Sequence, residues 1–255
     1  MIDTHAHLND DRLYDNINEI ITSANEVGVS DIVCVAYDLL SSVKACEIAN
    51  DHEHVYATIG IHPHDAKTFS KEIKEELIIL AKNKKVVAFG EIGLDFYYNL
   101  SSQKTQKKVF TEQLELANFL SLPVVIHTRD AISETLQILT ENKHLLKNGG
   151  IMHCFSGNLG FAKQVIDLGL VLGVGGTITF KNSQELQNVV KNITLEKIVL
   201  ETDCPYLTPV PFRGVSLNEP KFIPIIANHI AKLLNTTTDK IDEITTKNAR
   251  KVYKI

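Results

Sequence analysis

The chain has 255 residues, 44% of them hydrophobic and 22% charged, with a formal net charge of −5. That length suits one large barrel or two small domains, while the acidic balance argues against coating duplex nucleic acid through a broad basic surface. No run has the length and apolarity of a membrane span, and no basic segment leads into an apolar one at the N-terminus, so a cytoplasmic protein is expected.

The first element is a strand over 1–6, "MIDTHA", which runs into His7. Alternate side chains of a strand share a face, so Asp3, His5 and His7 are expected to look one way and Ile2, Thr4 and Ala6 the other. A helix over 12–27 follows, then strands over 31–36 and 55–61, a helix over 71–83 and a strand over 86–92. In the helices apolar residues recur at three and four. Helix 103–120 leads into strand 123–127, helix 131–139 into strand 150–153, and strands over 171–174 and 198–201 complete the series. Asn83, Gly169 and the pair Gly149 and Gly150 mark the breaks before strands, where a left-handed backbone is often required. Two further helices, 220–234 and 239–253, pack outside the wall. Runs such as "KVVAF" and "PVVIH" are nearly all apolar, which suits a sheet buried on both faces. Eight such cycles predict an α/β fold, a (β/α)8 TIM barrel forming a single domain over 1–255. An open doubly wound sheet is the alternative.

Polar residues gather where these strands end. His5 and His7 close the first strand, His62 and His64 follow the third, Glu91 lies at the end of the fourth, His127 and His153 end the fifth and sixth, and Glu201 and Asp203 the eighth. In barrels the C-terminal rim is where reacting groups converge. A single His-x-His is a cheap pattern, but six groups at successive strand ends point to one shared site. His5, His7, Glu91, His127, His153 and Asp203 offer four imidazoles and two carboxylates, a set suited to two divalent cations. Glu91 is placed to bridge them. Neutral imidazoles, two carboxylates and two divalent ions leave the site at about +2, which draws in an anionic substrate whatever the overall charge.

Cys34, Cys46, Cys154 and Cys204 stand far apart with no Cys-x-x-Cys pair, the pattern of reduced thiols. Cys154 and Cys204 adjoin the predicted ligands but are one residue out of phase, so both are expected to face away. His52, His54, His144 and His229 fall off the strand ends and read as surface or packing residues.

The motifs "IDTHAHL", "IGIHPHDA", "GEIGLDFYY", "PVVIHTRDA", "MHCFSG" and "LETDCPYLTPVPFRG…NEP" together resemble the TatD family of metal-dependent deoxyribonucleases, within the amidohydrolase-like barrels. The resemblance runs from Met1 to "NARKVY". It implies a two-metal site and hydrolysis of DNA phosphodiesters, often from a 3′ end. His5, His7, Glu91 and Asp203 would hold the first metal, and Glu91, His127 and His153 the second. Some members of this family act instead on the ester of D-aminoacyl-tRNA through the same ligands, so DNA (single strands or 3′ ends) is the expected substrate and D-aminoacyl-tRNA, or another ester or amide, the alternative.

On that basis Asp203 is expected to orient and deprotonate water, Glu91 to serve both metals, and His62 to assist the leaving group. Glu201 and Asp3 are expected to orient ligand imidazoles. Arg129, Arg213 and His64 are expected to grip the substrate, the arginines by a forked contact to phosphate. Phe96, Tyr97 and Tyr98 either stack on unpaired bases or pack the loop. Histidine-rich ligation suits zinc or manganese better than magnesium, although cellular availability leaves Mg, Mn and Zn all open. A monomer is expected.

Overall fold

Each of the eight expected strands forms and is followed by helix, so every strand runs the same way. The computed structural model describes residues 1–214 and 216–255. In chain order the elements are β1 (Ile2–Ala6), α1 (Asp11–Tyr14), α2 (Ile17–Glu26), β2 (Asp31–Cys34), α3 (Leu39–Asp51), β3 (Val55–Ile59) and α4 (Lys71–Leu80). Then come β4 (Val86–Asp95), α5 (Gln103–Phe119), β5 (Val124–Arg129), α6 (Ile132–Glu141), β6 (Gly150–Met152) and α7 (Leu159–Asp167). The chain continues with β7 (Val171–Val174), α8 (Gln184–Asn192), β8 (Ile198–Leu200), α9 (Ile223–Leu233) and α10 (Thr238–Tyr253). The strands lie in the order β1 to β8, each parallel to the next. Closure comes just past β8, where the Asp203 amide donates to the His5 carbonyl and the His7 amide to the Cys204 carbonyl, both at 2.8 Å. The fold is a TIM barrel.

Most expected boundaries shift by one to three residues, and two differences alter the path of the chain. The predicted helix 12–27 is broken between α1 and α2 at Asp15 and Asn16, although Ile17, Ile20 and Ala24 still bury at helical spacing. The fourth strand does not end at Ile92 but continues to Asp95, so Glu91 lies within it. Gly93 makes the extension possible. Its φ is +144°, and a Cβ there would clash with the His127 carbonyl oxygen, so only glycine lets the two strands approach this closely.

Helix starts follow local chemistry. Asp38 and Ser41 form a capping box on α3, Ser102 accepts the Thr105 amide at the start of α5, and Thr237 accepts that of Lys240 at α10. Each supplies an acceptor for an otherwise unpaired N–H. Inside the barrel, Ile2, Val33, Val87, Val125, Ile151, Val171 and Val199 pack with Ala249 and Tyr253 of α10. Seven strands contribute to this layer, and α10 plugs it from below. The Tyr253 hydroxyl donates to the Thr4 carbonyl at 2.8 Å. The larger apolar cluster lies between the sheet and the helices. Among the described residues no helix is long and apolar enough to cross a membrane.

Candidate metal centre at the barrel mouth

The apolar floor determines what reaches the mouth. Two residues beyond inward-facing Val125 is His127; two beyond Ile151 is His153; two and four beyond Val199 are Glu201 and Asp203. Side-chain alternation aims the first three up the barrel interior, whereas Asp203, past the end of β8, reaches it through a left-handed backbone at φ +58°. On β1 strict alternation from inward-facing Ile2 would turn His5 outward. The ladder is irregular between Asp3 and Ala6, and a second irregularity between Phe89 and Ile92 flanks Glu91. Such bulges re-aim side chains.

Glu91 sits at the centre, 3% exposed. Its Oε2 lies 3.4 Å from His5 Nε2 and 3.9 Å from His7 Nε2. Its Oε1 lies 2.8 Å from His127 Nδ1, 3.4 Å from His153 Nε2 and 3.7 Å from His62 Nε2. The two oxygens of one carboxylate thus face two separate groups of imidazoles. Asp203 joins the first group, its Oδ1 at 3.4 Å from His7 Nε2 and 3.7 Å from His5 Nε2. All six expected ligands meet here.

Burial opposes charge on Glu91, but the charge on His153 and hydrogen bonds from His127 and His5 outweigh it and hold the carboxyl well below its ordinary range. Asp203 is depressed in the same way, burial being overcome by His153, His7 and His5. Burial also opposes a proton on His153, yet the Glu201, Glu91 and Asp203 carboxylates push that ring up to about 10. Cations would displace such a proton, because only neutral imidazole coordinates.

Several observations fit a cation in each half. The Val35 carbonyl can only accept, so His7 Nδ1, 2.9 Å away, carries the proton and leaves the Nε2 lone pair facing inward. His5 Nε2 and His7 Nε2 stand 3.3 Å apart, the separation of two nitrogens on one tetrahedral ion at roughly 2.0–2.1 Å from each. The Nδ1 atoms of His5 and His153 and Oε2 of Glu201 are buried without a hydrogen-bond partner. Ligand atoms of His5, His7 and Asp203 cluster within 4.8 Å of one another in the first half, and those of His5, Glu91 and His153 do so where the two halves meet.

His62 differs from the other rings. Its Nδ1 accepts the backbone N–H of His64 at 3.2 Å, and burial drives its pKa well below the ordinary value. A neutral ring whose Nδ1 accepts must carry its proton on Nε2, so His62 presents an N–H to the centre rather than a lone pair.

Other predicted residues fall variously. Glu201 lies with Oε1 3.3 Å from His153 Nδ1, although not in hydrogen-bond geometry, and its carboxylate fills the space a Cβ on Gly173 would need. Asp3 does not orient an imidazole. It accepts the amides of His5 and Thr202 and the Thr202 hydroxyl, bracing β1 against the segment that carries Asp203; burial, resisted by these bonds, pushes it up to about 7. Cys204 is buried in the core as expected. Cys154 is not turned away: its φ is +45°, and its sulfur clusters with His153 and Asp203. Arg129 stacks 3.9 Å over the Tyr97 ring and Arg213 3.9 Å over Phe180. Phe96 packs against the core, whereas Tyr97 and Tyr98 are more than half exposed. His64 reaches Asp95 at 3.1 Å.

Asp95 is a buried site group that the pattern of polar residues at strand ends does not reveal. It is 1% exposed, and the same Oδ2 that faces His64 lies 3.2 Å from His127 Nε2. Its signal was the spacing Glu91, Gly93, Asp95, opposite His127 and Arg129 on β5.

Residues 2–254 match the family model described as TatD related DNase. The chain is 40% identical over its whole length to YabD of Bacillus subtilis, an uncharacterized metal-dependent hydrolase of which 99% is covered. It is 35% identical to the 3′-5′ ssDNA/RNA exonuclease TatD of Cronobacter sakazakii, covering 99% of this chain and 97% of that one. Among solved structures, the TatD homologue YjjV of Escherichia coli superposes with a TM-score of 0.94 at 28% identity, covering 100% of this chain and 98% of that one.

Proposed function

Because the chain belongs to the TatD related DNase family and is a metal-dependent hydrolase, we propose that it is a 3′-5′ exonuclease that cleaves phosphodiester bonds of single-stranded DNA. The observation that carries this reading is the two-sided environment of Glu91. A carboxylate with a separate set of imidazoles on each oxygen is the arrangement a bridging ligand needs. His5, His7, Glu91 and Asp203 would hold one divalent cation and Glu91, His127 and His153 a second, drawn from Mg, Mn or Zn. Bound there, two such cations supply Lewis acidity and bring the pKa of water toward neutrality.

The chain's own residues have distinct tasks. Asp203 orients the attacking water and takes its proton. It suits that task because its carboxyl is held ionised and its backbone, at φ +58°, turns the side chain toward the mouth. His62 offers its Nε2–H as a hydrogen bond to the leaving oxygen as negative charge develops there. Arg129 and Arg213 hold phosphate oxygens from the rim, where a guanidinium forms paired hydrogen bonds, and His64 adds a further contact. Tyr97 and Tyr98 offer ring faces for unpaired bases, a sequence-tolerant contact.

The test is a side-by-side assay of the purified protein, with each metal added in turn, on 3′-labelled single-stranded DNA and on D-aminoacyl-tRNA. Stepwise release of nucleotides from the 3′ end is expected. Deacylation of the tRNA with no turnover of DNA would overturn the nuclease reading and leave the ester hydrolase in its place.

A further inference from the structure

A buried carboxylate outside the ligand set is built with unusual care. Asp95 accepts the Tyr98 amide on Oδ1 at 2.9 Å, and its own amide donates to Gln106 Oε1 at 2.8 Å. Gln106, fully buried, returns a hydrogen bond from Nε2 to the Asp95 carbonyl at 2.9 Å and another to Ser101 at 2.8 Å. These bonds immobilise the carboxylate with Oδ2 aimed at His127 Nε2 and His64 Nε2. His127 therefore has one nitrogen on Asp95 and the other, Nδ1, 2.8 Å from Glu91 Oε1.

We propose that Asp95 is a positioning residue: it holds His127 by Nε2 so that Nδ1 faces Glu91, and it ties that ring to His64 at the rim. The inference rests on the two-cation reading above. An imidazole offers its lone pair from only one nitrogen at a time, and the partner of the other nitrogen decides which. Without Asp95 the His127 ring loses both its anchor and its preferred tautomer. The cation site on the Oε1 side of Glu91 then weakens, while the site of His5, His7 and Asp203 keeps all its contacts. Because the same oxygen also accepts from His64, one carboxylate aligns a ligand and a rim contact together.

Asp95→Asn separates this role from a merely structural one. Both Asp95 oxygens accept, whereas the asparagine side chain has a single acceptor oxygen, so it loses either the Tyr98 amide or the two imidazoles. Manganese titration of the full chain should show two equivalents in the wild-type protein. In Asp95→Asn the weaker site should lose about 10–100-fold in affinity, with the other unchanged. In a His127→Ala background Asp95→Asn should cost nothing further at that site. Wild-type affinity at both sites in Asp95→Asn, or a full additional loss in the His127→Ala background, would overturn the proposal. Neutron diffraction of the wild-type protein needs no variant and judges the proposal even if Asp95→Asn does not fold. A deuteron on His127 Nε2 directed at Asp95, with Nδ1 toward Glu91, supports it; a ring flipped to point Nδ1 at Asp95 overturns it. If the wild-type protein takes up fewer than two cations, the two-cation reading fails, and the neutron result still decides how Asp95 holds His127.

Discussion

The floor and the mouth of the barrel are built by the same strands at the same inward-facing positions, two residues apart, yet their chemistry is opposite. At the floor Val125, Ile151 and Val199 close on Tyr253; one step up, His127 and His153 face Glu91, with Glu201 beside His153. Burying apolar side chains stabilises the fold, whereas burying carboxylates and imidazoles costs free energy unless charge partners or cations offset it. The difference teaches that the floor holds the scaffold while the mouth draws on that stability to keep its polar groups in place.

The comparison can be broken most severely at Glu91. Glu91→Ala should lose both cations and all hydrolysis while still folding, as read by elemental analysis and turnover of 3′-labelled single-stranded DNA; two retained equivalents would refute the bridging role. His7→Ala and His153→Ala sharpen the contrast between the two sides of Glu91. Each should lose one equivalent only, and turnover should fall by more than the roughly 10–100-fold typical of losing a ligand's supporting partner.

The floor should answer in the opposite way. Ile151→Ala should cost about 2–5 kcal/mol in denaturant unfolding and leave cation stoichiometry at the wild-type value. At the rim, Arg129→Ala should raise the KM for single-stranded DNA by roughly tenfold, the worth of about 1.4 kcal/mol of charged hydrogen bonding, with both cations retained. An unchanged KM would assign Arg129 to its stack with Tyr97 alone. The smallest effect is expected of Tyr253→Phe, which removes the bond to the Thr4 carbonyl and should cost about 0.5–1.5 kcal/mol in stability.

Much of this division was legible in the sequence because periodicity carries it. Apolar strand runs, helical spacing and polar residues at the strand ends are local patterns, and they led to the barrel and to all six residues around the centre. Features that depend on a break in periodicity were not legible. The irregularity that turns His5 inward, the left-handed backbone that swings Cys154 toward His153, and the interruption between α1 and α2 leave no mark on an alternating pattern. Asp95 was hidden for a related reason. Its strand was expected to end at Ile92, and the continuation depends on Gly93 passing close to the His127 backbone, a contact between segments far apart in the chain. Asp3 followed the expected alternation on paper but found backbone partners across the seam between β1 and β8.

The most direct measurement is anomalous diffraction from crystals of the wild-type protein soaked in manganese. Two peaks are predicted, one within coordination reach of Glu91 Oε2 together with His5, His7 and Asp203, the other within reach of Oε1 together with His127 and His153. A lone peak, or a pair bound through the same Glu91 oxygen, would contradict the account.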